Sequence, residues 1–515
     1  MIVIKRDGKK VPFIKGKITA AIIKAFYEVD SEIKTESSKI AINIGNYIEQ
    51  LNKKEISVEE IQDIVEKKLM STNRKDVAKA YVKYRYLHNL ARDDYETLMN
   101  AIESKLMAKD VQNQNANIDE KSFGGRVGEA TDYVMKEFAL KYCMSELSAR
   151  NHLENEIYIH DLNSYAVGMH NCLSIPFDDL LAKGFNTRQT DVRPAQSVNT
   201  AFQLVAVIFQ LQSLMQFGGV AATHIDWTMV PYVRKSFIKH WKTACEYIDP
   251  TCKIIPTEDD SIDSNEYKSY KKIYDYALDM TKKEIDQAVE GVFHNLNTLQ
   301  SRSGNQLPFT SINYGTCTLT EGRMITKSIL ETSIKGIGKL NRTSVFPCQI
   351  FQCMKGVNRN PEDPNYDLFR LALKSTAHRL YPNYSNVDWS TNAGYDINDP
   401  KTYVSTMGCR TYNGYDINGL GQLKDGRGNI APVTIILPVL AMQAKIKGGD
   451  IVANFMEILD TKIHEARDML IERFEWICSQ SADSAKFMYE NNLMAGYVPE
   501  EGIRSALKHG TLVIG

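Results

Sequence analysis

The segment Val433-Thr434-Ile435-Ile436-Leu437-Pro438 is the strongest constraint on the fold, because it is almost continuously apolar and rich in β-branched residues. Such a segment is typical of a strand in a parallel sheet that is buried on both faces. Further strand patterns alternate with long amphipathic helical patterns from residue 93 to residue 515. This alternation predicts an α/β fold with much parallel sheet, arranged as a barrel.

The composition argues against two classes of partner. The chain of 515 residues has a net charge of −1, without the basic excess that a nucleic acid partner favours. Its most apolar stretch, 198–220, is interrupted by four glutamines, which indicates a buried helix and not a membrane span. The basic start of the chain leads into mixed sequence and not into the apolar core of a signal peptide. We therefore expect neither a membrane nor a direct nucleic acid interaction.

The cysteines point to a reducing environment. The nine cysteines are scattered and include no CxxC pair, which predicts a cytoplasmic protein without a zinc site in this chain. His160, His170 and Cys172 are the one candidate metal trio, since His170 and Cys172 share a face of a strand pattern. The trio lacks a fourth ligand and the usual zinc spacing, so we expect buried polar groups and no metal.

Residues 1–92 form a separate small pattern of two short strands and four helices. The strands are predicted at 1–4 and 11–13, with a basic turn at Lys5-Arg6 between them. Ser57 and Glu60 form a capping box that starts the third helix. The basic residues suit a polyphosphate ligand, although lysines on such a unit also occur as a solvated face.

This segment resembles the ATP-cone, a regulatory module of ribonucleotide reductases. The resemblance implies that ATP and dATP act as allosteric effectors and that four residues contact them, Lys5, Arg6, Lys17 and Ser57. The residues that carry the resemblance are Ile4-Lys5-Arg6-Asp7-Gly8, Val11-Pro12-Phe13, Lys17-Ile18, Ser57-Val58-Glu59-Glu60-Ile61-Gln62 and Tyr81-Val82-Lys83-Tyr84-Arg85.

Residues 93–130 differ in composition from their neighbours. They are polar, rich in Asn, Gln and Asp, and end in Phe123-Gly124-Gly125-Arg126. This composition predicts a linker that leads into a glycine-containing loop. The catalytic part of the chain is then expected at 131–515, beginning with a helix at 130–154.

A cysteine stands in a segment without helical or strand periodicity, Ser405-Thr406-Met407-Gly408-Cys409-Arg410-Thr411. We predict a loop tip, at which Gly408 permits a close approach because it has no Cβ. Arg410 places a permanent positive charge beside the Cys409 thiol, which favours the thiolate. Most cysteines are small buried apolar residues, so the segment alone leaves both interpretations open.

Several motifs follow one another in the chain from residue 93 onward. They are Tyr158-Ile159-His160-Asp161, Met169-His170-Asn171-Cys172, Glu321-Gly322-Arg323, Met407-Gly408-Cys409-Arg410 and Asp425-Gly426-Arg427-Gly428-Asn429. In these motifs the chain resembles the catalytic subunit of the anaerobic, class III ribonucleoside-triphosphate reductases. The resemblance implies a ten-stranded α/β barrel of the ribonucleotide reductase and glycyl radical enzyme type. It also implies that a thiyl radical on Cys409 takes the 3′-hydrogen of a ribonucleoside triphosphate, with the Cys172 sulfur in the same cavity and Asn429 near the sugar.

The resemblance implies further partners, and several alternatives stay open. A radical-SAM activating enzyme, a homodimer, and either formate or a dithiol protein as reductant are expected. The glycyl radical motif and four-cysteine zinc site of such enzymes do not occur in residues 1–515, so we expect a truncated chain that is inactive alone. The alternatives are a catalytically inert nucleotide-binding fragment and a formate-lyase type of glycyl radical enzyme. Cys317 stands at a position without an assigned role.

Overall fold

The chain forms two compact units, Met1–Ser104 and Lys105–Gly515. Each unit has its own buried apolar core. The computed structural model describes residues 1–5, 8–30, 35–107, 119–302, 306–389, 393–408 and 411–515.

The first unit packs helices against a small three-stranded sheet. In that sheet β1 is central, antiparallel to β2 and parallel to β3. Ile22, Phe26, Ile48 and Leu69 are fully buried in its core. The third strand was not predicted. The elements are β1 (Ile2–Ile4), β2 (Lys10–Pro12), α1 (Lys15–Tyr27), α2 (Thr35–Gln50), β3 (Glu55–Ser57), α3 (Val58–Met70) and α4 (Lys75–Met107).

Ser57 ends β3 and begins α3. Its Oγ accepts a hydrogen bond from the Glu60 N–H at 3.1 Å, which satisfies an otherwise unpaired amide in the first turn of α3. The predicted N-cap is therefore confirmed. Ser57 is both the last residue of β3 and the N-cap of α3. Because β3 has only three residues and runs directly into the helix, the sequence shows the helix start but no strand pattern.

The second unit is built mainly from long helices around parallel strands. Its helices are α5 (Phe123–Phe138), α6 (Glu146–Leu153), α7 (Phe177–Lys183), α8 (Val198–Gln212), α9 (Ile225–Thr228), α10 (Val230–Tyr247), α11 (Asn265–Ser269), α12 (Lys271–Leu296), α13 (Thr320–Lys335), α14 (Tyr366–Arg379), α15 (Leu437–Lys447), α16 (Ile451–Cys478), α17 (Lys486–Glu490) and α18 (Arg504–Leu507). Its strands are β4 (Ile157–Ile159), β5 (Leu173–Ser174), β6 (Phe185–Asn186), β7 (Asp191–Val192), β8 (Val220–Ala222), β9 (Thr310–Tyr314), β10 (Cys348–Cys353), β11 (Asn383–Asn386), β12 (Thr406–Met407), β13 (Thr411–Tyr412), β14 (Asn429–Ile435) and β15 (Thr511–Ile514).

Two sheets meet at β5. The larger one is fully parallel, in the order β11-β10-β9-β8-β5, and the smaller one has the order β15-β14-β4. The backbone beside β5 joins them, since the Cys172 N–H donates to the Asn429 carbonyl at 2.8 Å and the Ser174 N–H to the Arg427 carbonyl at 2.9 Å. The predicted α/β fold with a parallel sheet is confirmed. The count of ten strands stays a prediction.

The ends of the predicted linker and loop at 93–130 differ from the structure, and residues 108–118 between them lie outside the described residues. The helix α4 continues to Met107, and α5 begins at Phe123, where a glycine-containing loop was expected. The Ser122 Oγ accepts a hydrogen bond from the Gly125 N–H at 3.0 Å and caps α5. A Cβ on Gly125 would overlap the Asp119 backbone, so the glycine serves a close approach inside a helix and not a loop.

Two further predicted elements have different boundaries. The strand expected through Pro438 ends at Ile435, and Pro438 instead stands in the first turn of α15, where its missing N–H costs no hydrogen bond. The single helix expected at 130–154 is divided by a π-helical turn at Ala139–Cys143, after which Ser145 caps α6.

Among the described residues, none of the helices combines the length and the apolar character that crossing a membrane requires.

Candidate active site

A cavity of about 490 Å³ lies where the two larger sheets of the second unit meet. Its wall combines a thiol, three side-chain amides, an arginine and three glycines, so it can accept a polar ligand of small-molecule size. The lining residues are His160, Asp161, Asn171, Cys172, Gly218, Gly219, Arg302, Gln306, Phe309, Thr411, Asn429, Pro432, Val433, Thr434, Val513 and Gly515.

Cys172 lies directly before β5 and is only 1% exposed. Its Sγ accepts a hydrogen bond from the Gly219 N–H at 3.3 Å, and its side chain packs with Ala221 and Met407. Cys172 lines the cavity, and its assignment as a catalytic cysteine stays a prediction. The thiol is held by backbone on one side and faces the cavity on the other.

Asn429 is the least satisfied polar group of the cavity. It is fully buried at the start of β14, and neither its Oδ1 nor its Nδ2 has a hydrogen-bond partner. A buried amide without partners costs free energy, on the order of 1–3 kcal/mol for each lost bond. A ligand in the cavity that offers both a donor and an acceptor would remove this cost.

The segment around Cys409 reaches the same cavity. Cys409 and Arg410 lie outside the described residues. Of their neighbours, Gly408 packs so closely on Phe309 that a Cβ would overlap the ring, and Phe309 and Thr411 both line the cavity. The strands β12 and β13 pair antiparallel, with Met407 opposite Thr411.

Arg302 supplies a cationic wall that we did not predict from the sequence. Its guanidinium donates to the Gln306 Oε1 at 2.7 Å and to the Phe217 carbonyl. Burial lowers the pKa of Arg302, while the Asp161 carboxylate opposes this shift. The only sequence hint was the polar stretch of Arg302 to Gln306, a few residues before the strand β9.

The candidate metal trio, His160, His170 and Cys172, does not form a group suited to a metal ion. His160 shares a hydrogen bond with the Thr434 Oγ1 at 2.7 Å, and His170 is buried, with its pKa lowered to about 4 by burial. Within the described ranges, no group of three or more His, Cys, Asp and Glu side chains has a geometry suited to a metal ion. Cys317 is buried beside Gly322 and does not line the cavity.

The first unit contains a second pocket, of about 230 Å³. Lys5 and Lys17 line it together with an apolar wall that includes Val11, Phe13 and Ile61. Ser57 does not line the pocket but caps α3, and Arg6 lies outside the described residues. Two lysines beside an apolar wall suit a ligand with phosphates and a flat base.

A buried charged cluster lies at the end of β8, where the chain turns away from the sheet. His224 Nε2 contacts the Asp178 carboxylate at 3.1 Å, while Thr223 Oγ1 hydrogen-bonds to His224 Nδ1 at 2.7 Å and to Asp425. Burial disfavours the imidazolium, but the Asp425 and Asp178 carboxylates outweigh it and raise the pKa of His224 to about 9. Burial raises the pKa of Asp425 to about 6.

The raised pKa of His224 predicts a pH-dependent stability. Because the folded-state pKa of about 9 lies above the ordinary value of 6.5, the contribution is complete below pH 6.5 and is lost as the pH rises through 9. We expect the melting temperature of His224→Gln to lie furthest below that of the unmodified chain at pH 6.5 and to approach it at pH 9.5. Calorimetric scans across this range test the expectation, and a constant difference would contradict it.

Two family models together match most of the chain. The model described as anaerobic ribonucleoside-triphosphate reductase matches residues 114–515. The model described as ATP cone domain matches residues 1–90. The two matches correspond to the two patterns that the sequence resembles.

Similar proteins agree with these matches. The chain is 30% identical over 514 residues to the anaerobic ribonucleoside-triphosphate reductase of Haemophilus influenzae, covering 99% of this chain and 68% of the relative. It is 30% identical over 491 residues to that of Escherichia coli, covering 95% and 64%. The chain thus spans about two thirds of the length of these relatives.

A solved structure supports the fold. The crystal structure of the anaerobic ribonucleotide reductase from Thermotoga maritima in complex with dATP and CTP matches with a TM-score of 0.52 and 16% identity. The match covers 82% of this chain and 67% of that one. At this identity the likeness concerns the fold alone.

Proposed function

The chain belongs to the anaerobic ribonucleoside-triphosphate reductase family, and from this premise we propose that it reduces ribonucleoside triphosphates to deoxyribonucleoside triphosphates for DNA synthesis. The observation that carries the proposal is the cavity in which the buried Cys172, the unpartnered Asn429 and the chain on both sides of Cys409 meet. ATP and dATP are the proposed allosteric effectors, with the pocket beside Lys5 and Lys17 as their site.

The residues of the cavity have distinct proposed roles. Cys409, as a thiyl radical, takes the 3′-hydrogen atom from the ribose and becomes a thiol. The 2′-hydroxyl then takes up a proton and leaves as water, and after C2′ has been reduced the Cys409 thiol returns its hydrogen atom to C3′ and becomes a thiyl radical again. Asn429 holds a sugar hydroxyl or the reductant through its two unpartnered polar atoms. The Arg302 guanidinium lines the cavity and would stabilise negative charge on the ligand, both in the bound state and during the reaction. A ribonucleotide that fills the cavity would displace water from around the buried Cys172 and Asn429, so that the radical reacts with the ribose and not with solvent.

The electrons and the radical come from partners. A reductant, formate or a dithiol protein, supplies two electrons and becomes carbon dioxide or a disulfide. A glycyl radical, produced by a radical-SAM activating enzyme, supplies the unpaired electron in this family. A homodimer and a cytoplasmic location complete the proposal, and the nine scattered cysteines without a CxxC pair support the reducing compartment.

An anaerobic turnover assay tests the proposal. The polypeptide of the full reading frame is combined with an activating enzyme, S-adenosylmethionine, an electron donor and formate or a dithiol. We expect deoxyribonucleotide from ribonucleoside triphosphates and much less from diphosphates. Binding of ATP without any product under these conditions would instead favour an inert nucleotide-binding protein.

Asn429→Leu separates function from stability. Leucine has a similar volume and removes two buried polar atoms that have no partners, so the melting temperature is expected to stay constant or to rise. Turnover is expected to fall by about 100-fold, on the order of one or two lost ligand hydrogen bonds. Asn151→Leu is the matched control, because Asn151 is also fully buried but bonds to Glu465 and Lys462. That variant should lose stability and keep turnover.

Lysine replacements test the effector pocket. We expect Lys5→Ala and Lys17→Ala each to weaken ATP binding by about tenfold, because a hydrogen bond to a charged group contributes roughly 1.5–3 kcal/mol. Titration calorimetry on the chain measures the change. Lys10→Ala serves as control, since Lys10 pairs with Glu55 and does not line the pocket. Equal loss in all three variants would point to general charge and not to this pocket.

A further inference from the structure

Two amide side chains project from the parallel sheet toward the backbone that leads to Cys409. They are Asn313 on β9 and Gln352 on β10, and both are fully buried. Asn313 pairs in register with Ile350, so Asn313 and Gln352 lie on the same face of the sheet. Ala221, which packs with Cys172, shares this face through its pairing with Ser311.

Asn313 bridges the sheet and the segment before Cys409 with three hydrogen bonds. Its Nδ2 donates to the Ala222 carbonyl at 2.9 Å and to the Thr406 carbonyl at 3.0 Å. Its Oδ1 accepts the Thr406 N–H at 3.0 Å. The side chain therefore binds both backbone groups of Thr406 and fixes their direction as well as their distance.

Gln352 repeats the arrangement two residues earlier in the same segment. Its Nε2 donates to the Val404 carbonyl at 2.9 Å and to the Thr223 carbonyl at 3.4 Å. Each amide thus joins the end of β8 to the segment 404–406. We call the two side chains, Asn313 and Gln352, the amide clamp.

The clamped segment leads directly to the cavity. Met407 is fully buried against Cys172 and Ala221, and Gly408 packs on Phe309 in the cavity wall. Only Gly408 stands between the buried Met407 and Cys409 in the sequence. A shift of Thr406 would pass along this short connection, because Met407 has no free space in which to absorb it.

We infer that Asn313 and Gln352 are positioning residues, which hold the segment 404–408 at the depth in the cavity from which the Cys409 sulfur reaches the ribose. The inference rests on the proposed function, in which Cys409 abstracts the 3′-hydrogen. Such a transfer needs the reacting atoms in near-contact, and a misplacement of about 1 Å costs about 100-fold in rate. Two rigid amides on a sheet provide better placement than a loop alone.

Near-isosteric replacements test the amide clamp. Asn313→Leu and Gln352→Met keep the side-chain volume and remove the hydrogen bonds. The matched control is Gln349→Met, because Gln349 is a fully buried glutamine on the same strand that bonds to Tyr314 and Ser333 on the opposite face. We expect kcat to fall by about 100-fold in the clamp variants, while KM changes by less than about threefold. The control should lose comparable stability and keep kcat.

A second measurement does not depend on turnover. Hydrogen exchange of the Thr406 amide should become at least about tenfold faster in Asn313→Leu, because its acceptor is removed. If that variant does not fold, Asn313→Asp keeps the acceptor and removes both donors, and kcat should still fall. Unchanged Thr406 exchange in Asn313→Leu, or an equal loss of kcat in Gln349→Met, would overturn the inference. If the unmodified enzyme makes no deoxyribonucleotide, the proposed function fails while the exchange result still reports on the clamp.

Discussion

Replacing Cys409 by serine is expected to abolish deoxyribonucleotide formation in the activated enzyme, while ATP binding and thermal stability remain unchanged. The physical reason is that a serine hydroxyl holds its hydrogen too strongly to form the radical that takes the 3′-hydrogen. The result is measured as product formed anaerobically per activated enzyme. The glycyl radical signal of the activated enzyme should still form, since its formation precedes the step at Cys409.

A matched serine replacement shows whether the effect is specific. Cys252 is partly exposed and does not line the cavity, so Cys252→Ser should keep turnover within about twofold, as surface substitutions usually do. Normal turnover by Cys409→Ser would remove Cys409 from the mechanism. The close packing of Gly408 and Thr411 around the cavity would then need another explanation.

Gly408→Ala is expected to lower turnover by at least about 100-fold, because one methyl group displaces the segment that carries Cys409. The added Cβ would overlap the Phe309 ring, which is itself packed edge-on against Phe346 with ring centroids 5.2 Å apart. Either the ring or the segment must move, and both border the cavity. Steady-state kinetics should show a fall in kcat with little change in ATP affinity.

The chain offers a control for this change. Gly414 lies in the same region and does not adopt a positive φ, and a Cβ added to it would meet no atom within 4 Å beyond its chain neighbours. Gly414→Ala should therefore leave turnover within about twofold. If both alanine variants were equally active, the contact between Gly408 and Phe309 would not position the reactive segment.

The sequence indicated the elements whose residues act locally. The apolar pattern of Val433 to Ile435 predicts a strand in a parallel sheet. The structure contains this strand as part of β14, but the sheet is mixed, because β14 is parallel to β15 and antiparallel to β4. Ser57 predicts a helix start, because its capping hydrogen bond joins residues only three positions apart in the sequence. Such features depend on neighbours in the chain, so spacing alone reveals them.

The glycine pattern at 124 and 125 was misinterpreted as a loop because the role of Gly125 is a packing role. Glycine is typical of loops, but here Gly125 lies in the first turn of α5, where the Asp119 backbone comes too close for a side chain. The serine cap at Ser122 was visible in the sequence and would have favoured a helix start.

The clamp and the arginine wall could not be predicted, because their partners are distant in the chain. Asn313 and Thr406 are 93 residues apart, and Gln352 and Val404 are 52 apart. The sequence of a strand does not show whether a buried amide side chain in it binds a distant loop or a group on a neighbouring strand. Arg302, in the same way, comes to line one cavity with Cys172 and Asn429 only because the two larger sheets join at β5.

We propose that Cys172 and Cys409 face one cavity that binds the ribose. A short bifunctional thiol reagent, applied to the folded chain under anaerobic conditions and followed by peptide mass spectrometry, measures this directly. We predict a cross-link between the peptides of Cys172 and Cys409 that a ribonucleoside triphosphate suppresses. Single modification of each cysteine without any cross-link between them would contradict the account.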